Sequence, residues 1–141
     1  KAFCKDNLFK LFILDCGLLG CMLDLPPETL ISQDYGITKG FFAENFVAAE
    51  LLSAGETNLC SWVGRNSEIE FLLDCNGSPV PVEVKSGSRT KAQSLRQFML
   101  KYNPRHAVKI SGKPLSIPET GVIHVPLYYA GQLNRTWKES L

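Results

Sequence analysis

The chain lacks any C-x-x-C pair, and its five cysteines, Cys4, Cys16, Cys21, Cys60 and Cys75, are odd in number and scattered. That spacing excludes a regular disulfide framework and a paired zinc knuckle. Reduced, partly buried thiols in an intracellular, cytoplasmic protein are expected instead. Histidine is scarce, and His106 and His124 sit in apolar runs, as strand residues rather than ligands. Net charge is nearly absent: 15 basic against 14 acidic side chains leave +1, which gives no global electrostatic case for nucleic acid or a membrane surface. Long apolar runs are missing too. The best of them, LFILDCGLLGCML, is broken by Asp15 and falls short of the roughly 18–20 residues that span a bilayer, so neither a signal peptide nor a membrane span is expected. Neither G-x-x-x-x-G-K-[ST] nor G-x-G-x-x-G occurs, so no ATP site is expected within this chain. There is no internal repeat or low-complexity tract. The chain opens KAFCKDNLFKLFILD without methionine, which fits a fragment lacking its upstream part or a removed tag.

What is present is an ordinary globular balance. Hydrophobic residues make up 45% and charged residues 21% of 141, enough for one domain with a real core. Residues 9–14 read as a strand and 17–24 as a short helix ended by Pro26 and Pro27, with 24–36 as a loop. We divide the chain into a segment 1–35, continuing from something upstream, and a domain 36–141. From Thr38 to Ser53 the pattern is helical and apolar on nearly every face, through Phe41, Phe42, Phe46, Val47, Ala48, Ala49, Leu51 and Leu52, and Gly55 closes it. Such a helix should be central, and Glu44 within it needs a partner or a job.

Strands are expected at 59–63, 68–74 and 80–84. In the second, Ile69, Phe71 and Leu73 alternate with Glu68, Glu70 and Leu72. Asn76-Gly77 is a strong hairpin signal. If those two residues form the turn, Phe71 faces Val82, Glu70 lies opposite Glu83, and Lys85 falls opposite Glu68. A one-residue bulge would separate the two acids. Thr90 then caps a helix, with Gln93 completing a capping box, and Leu95, Phe98, Met99 and Tyr102 form its core stripe. Pro104 stops it. Strands follow at 106–110 and 122–126, separated by a polar loop, and the tail from Tyr128 is partly exposed.

Glu44, Glu70, Glu83 and Lys85 are the polar residues with chemical promise. Opposed carboxylates repel unless a cation or proton bridges them, and hard divalent ions such as Mg²⁺ take carboxylate oxygens. Glu70 and Glu83 could hold the ion, with Glu44 completing the shell, and Lys85 could orient water or stabilise phosphate charge. The plain alternative for Glu83 and Lys85 is an exposed strand pair neutralised by Glu68 and worth little. The stretch from Lys85 to Lys113 has eight basic residues and no acid, so it is the best candidate for a basic patch; an ordinary solvated face is its plain reading.

The order of GFFAENFVAAELL, SEIEFLL, PVEVKSG and KAQSLRQF resembles the PD-(D/E)XK nuclease-like superfamily. More narrowly, the run EIEFLLDCNGSPVPVEVKSGSRTKAQSLRQFMLKYNPRHAVKIS resembles the C-terminal DUF4143 domain of prokaryotic AAA-type ATPases. The resemblance implies an α/β, restriction-endonuclease-like core, a central mixed sheet flanked by helices, and an ATPase portion upstream. It matches Glu70 and Glu83 to the metal-binding acids, Lys85 to the lysine and Glu44 to the helix acid. The first sheet acid is commonly aspartate, so Glu70 is a departure that changes the metal distance. Gln97 and Tyr102 match the superfamily's helix glutamine and tyrosine only loosely. Two functions follow from this. One is Mg²⁺-dependent phosphodiester hydrolysis, with Arg89, Lys91 and Arg96 contacting the backbone of DNA. The other is a catalytically inactive module that binds nucleic acid, a protein or its own ATPase portion.

Overall fold

A computed structural model describes residues 9–32, 34–86, 93–117 and 121–133. Three helices come first: α1 (Cys16–Met22), α2 (Pro27–Ser32) and α3 (Lys39–Ser53), the last entered through a 3₁₀ turn at Gly36–Thr38. Strands β1 (Cys60–Val63), β2 (Glu68–Cys75) and β3 (Ser78–Val84) follow, then α4 (Gln93–Tyr102), β4 (Ala107–Ser111), β5 (Val122–Pro126) and a 3₁₀ segment, Leu127–Gln132. The strands form one mixed sheet in the order β1-β2-β3-β4-β5, antiparallel through β3 and parallel from β3 to β5. This is the α/β architecture expected.

Each face of the sheet has its own core. Val80, Val82 and Val84 of β3 alternate onto one side with Phe71, Leu73, Val108 and Ile110, where α3 packs Ala43, Val47, Ala48 and Leu51 against them. On the other side Leu95 and Phe98 of α4 meet Ile69 and Ala107. α3 is central but not apolar all round: Phe41 and Leu52 are exposed. Gly55, at φ 95°, ends it in the left-handed conformation that a side chain resists.

The hairpin register is the one the sequence predicts, from Phe71↔Val82 to Cys75↔Ser78. Asn76 and Gly77 both have positive φ, as a two-residue primed turn demands, and the Gly77 N–H donates to Asp74 Oδ1 at 2.7 Å.

Three expectations need correction. Residues 9–14 are not a strand. The Ile13 N–H donates to Asn45 Oδ1 (2.7 Å) and Asn45 Nδ2 donates to the Ile13 carbonyl (2.9 Å), so one buried side chain takes the place of a strand partner. Residues 24–36 contain α2, whose start at Pro27 suits a residue with fixed φ and no N–H. The alternation of β2 breaks: opposite β1, Cys60 pairs with Leu72 but Trp62 with Ile69, which leaves one extra residue on β2. Ile69 therefore lies on the α4 side and Phe71 on the α3 side. Thr90 lies outside the described residues.

Candidate functional site

The extra residue in β2 falls where Glu70 stands. Instead of following the alternation, its carboxylate turns to the end of β3, where Oε2 accepts the Val84 N–H at 3.1 Å. A backbone donor that a neighbouring strand would ordinarily satisfy is thus satisfied by a side chain. Lys85 follows, its own N–H donating to the Ile110 carbonyl at 2.9 Å. Its Nζ lies 3.2 Å from Glu70 Oε1 and 3.1 Å from Glu83 Oε1. The bulge exists, yet it does not part the acids, because both reach one ammonium. Lys85 does not pair with Glu68, whose carboxylate lies 2.6 Å from Lys10 Nζ.

Burial separates this cluster from an ordinary surface pair. Glu83 is 1% exposed and Glu70 7%. Burial pushes the Glu70 carboxyl above its usual range, opposed by Lys85 and by backbone donors, with the charge of Glu44 adding to the rise. Burial works against the Lys85 ammonium, but Glu70 and Glu83 outweigh it and its pKa rises. Glu83 Oε2 is buried without a hydrogen-bond partner among the described residues. Such an oxygen costs stability, and it marks a place where a ligand would be welcome.

Glu44 is held differently. Its Oε2 accepts from Lys10 Nζ at 3.0 Å, and the same ammonium serves Glu68. Glu44 is felt electrostatically at Glu70 but takes no share of Lys85. Among the described residues no three His, Cys, Asp or Glu side chains gather as a metal site; the acids meet in pairs, Glu70 and Glu83 on Lys85, and Glu44 and Glu68 on Lys10. A cleft of ≈ 520 Å³ beside Glu44 and Glu68, walled by Phe12, Leu19 and Phe41, does not reach Glu70, Glu83 or Lys85. The buried pair is the better candidate, because it carries the buried oxygen without a hydrogen-bond partner.

The basic stretch does not form one face. Lys85 turns into the cluster and Lys109 is 3% exposed, while Arg96 and Arg105 are exposed. Arg89 and Lys91 lie outside the described residues. Gln97 is exposed on α4. Tyr102 is not a core residue: half-exposed, it stacks on Phe98 and accepts from Trp62 Nε1 at 3.1 Å. Reading the sequence also missed Lys10, the clamp on Glu44, and Lys109. Lys109 was detectable, because it falls two residues after Ala107 in a strand, on the same face.

Fold and site together define an α/β domain with a mixed five-stranded sheet, helices on both faces, and two buried glutamates sharing one lysine. The chain belongs to the family described as Domain of unknown function (DUF4143), whose model matches residues 39–129, a span that holds every residue of the cluster. No curated protein and no solved structure matches the chain. Among the described residues no helix is long and apolar enough to cross a membrane.

Proposed function

We propose that this is a nuclease-like domain of PD-(D/E)XK type, restriction-endonuclease-like in fold, that hydrolyses phosphodiester bonds with Mg²⁺ and serves an ATPase portion upstream. Glu83 carries the reading: a carboxylate 1% exposed, one oxygen on Lys85 and the other without a partner, beside the carboxylate of Glu70. Two carboxylates fit Mg²⁺, which takes one or two from a protein and fills its shell with water and phosphate, so Glu70 and Glu83 would hold it. When bound, the cation supplies charge to a phosphoryl oxygen and acidifies water. Lys85, its proton held more tightly beside two acids, stays protonated at neutral pH. It therefore acts as a charge and a donor toward phosphate oxygens rather than as a base. Glu70 is fixed by the Val84 N–H, which holds its second oxygen still.

A second reading has its own observation. Lys85 already pairs with both acids, and no third ligand joins them among the described residues. A catalytically silent module that binds nucleic acid, or its own ATPase portion, fits that balance. Calorimetric titration with Mg²⁺ and Mn²⁺, followed by cleavage assays on DNA and RNA, separates the two. The nuclease reading expects metal binding in the native chain, its loss in both Glu70→Ala and Glu83→Ala, and cleavage that stops with it. Metal binding without cleavage of any substrate favours the silent module.

A further inference from the structure

The row that contains Glu83 runs on across the sheet. Glu83 is the cross-strand partner of Lys109, and Lys109 of His124, along three parallel strands. Neighbours in register share a face of a pleated sheet, so a carboxylate, an ammonium and an imidazole stand in line. Val108 and Ile110 point the other way, into the α3 core, while Ala107 joins Leu95 and Phe98 of α4. The line is thus on the α4 side, crossing β3 one residue before its end, near Lys85, and passing through the middles of β4 and β5. Open α/β sheets take their ligands at the carboxyl ends of parallel strands.

Lys109 is 3% exposed, and lysine is almost never so buried without a specific reason. Its position makes it a second positive charge on Glu83, beside Lys85. Lys113, whose charge is felt at both Lys109 and His124, adds a third. Glu83 therefore answers two lysines, Lys85 at 3.1 Å and Lys109 across the neighbouring strand, with Lys113 felt beyond them; burial and the two other ammoniums hold the Lys109 pKa below its usual value while Glu83 opposes that fall, and the imidazole of His124 brings no negative charge. A divalent cation entering alone meets a cluster whose negative charge is already cancelled. A phosphate-bearing ligand entering alone meets two carboxylates. Entering together, they balance.

We infer that Lys109 is a positioning residue that sets the charge of this site, so that it takes a divalent cation and a phosphate-bearing ligand jointly and neither well alone. The inference rests on the reading of Glu70 and Glu83 as cation ligands. It predicts opposite effects of one substitution: removing the charge of Lys109 strengthens cation binding and removes its dependence on the anion.

The test is a calorimetric titration of the chain with Mn²⁺, with and without sulfate at matched ionic strength, sulfate standing in for phosphate without precipitating the metal. Sulfate is expected to tighten Mn²⁺ binding about tenfold in the native chain, and Lys109→Met to bind Mn²⁺ alone about tenfold more tightly while losing the response to sulfate. Lys109→Arg, which keeps the charge, should behave as the native chain does. A native chain whose Mn²⁺ affinity ignores sulfate overturns the inference without any variant. So does a folded Lys109→Met variant with native Mn²⁺ affinity. In both cases the metal reading itself stands. No Mn²⁺ binding under either condition removes that reading and this inference with it.

Discussion

Replacing Lys85 by methionine keeps most of the side-chain volume and removes the one charge between two buried acids. Its Nζ lies 3.2 Å from Glu70 and 3.1 Å from Glu83, whose side chains are 8% and 1% exposed. Breaking a buried pair by deleting one partner costs about 3–5 kcal/mol, because the other partner stays behind uncompensated. The Lys85 side chain is itself 33% exposed, so solvent screens part of the interaction and about 2–3 kcal/mol is the better expectation. With a urea m-value of about 1.5 kcal/mol/M, the unfolding midpoint should fall by about 1.3–2 M. Burial already raises the folded-state pKa of Glu70 despite Lys85, and without Lys85 it rises further. A carboxyl with a raised folded pKa penalises the native state at higher pH, is relieved as pH falls through that value, and is fully relieved below the unfolded one. The gap between native and variant chains must therefore be smaller near the ordinary glutamate range than at neutral pH. Urea titrations followed by tryptophan fluorescence at the two pH values measure it. A gap of equal size at both, or no gap at all, would refute the idea that Lys85 compensates buried charge.

Other substitutions probe the frame. Asn45→Ala removes both hydrogen bonds to the Ile13 backbone and should cost about 1–3 kcal/mol, with the Ile13 amide losing protection in hydrogen exchange; unchanged protection would show the clasp to be incidental. Phe71→Ala empties a site 1% exposed, where the ring meets Phe12 at 5.6 Å, and should cost about 3–5 kcal/mol in denaturant unfolding. Gly55→Ala forces a side chain onto φ 95° at the end of α3 and should cost about 1–2 kcal/mol by the same assay, while Ala at Gly40 inside the helix, where an added methyl meets nothing within 4 Å, should be neutral or stabilising.

Local chemistry made much of this legible in the sequence. Asn76-Gly77 dictated the turn, and the turn dictated the register that brings β3 beside β2 with Glu83 near Glu70. The apolar spacing of residues 39–53 gave α3, and Leu95 and Phe98 gave the inner face of α4. What the sequence hid depends on partners distant in the chain. Residues 9–14 look like a strand because they are apolar and extended, but their hydrogen-bond partner is the side chain of Asn45. The alternation of β2 conceals its bulge, since Ile69 and Phe71 are equally good core residues on either face. Glu44 reads as a third acid for the site, but its pairing with Lys10, 34 residues away, leaves no mark in the local sequence. The spacing of Lys109 from Ala107 puts it on the inward face of its strand, but no local pattern reports that a neighbouring parallel strand sets Glu83 beside it.

The mixed sheet also orders assembly. β2 and β3 meet across a two-residue turn, so the hairpin closes at little entropic cost, whereas β4 reaches Val82 and Glu83 only from beyond α4. Until that strand docks, Glu83 keeps one flank in water, and dehydrating it falls on the later, nonlocal closure. The buried acid is thus a brake on folding. The brake is eased by the incoming strand itself, which carries Lys109 to the acid it covers.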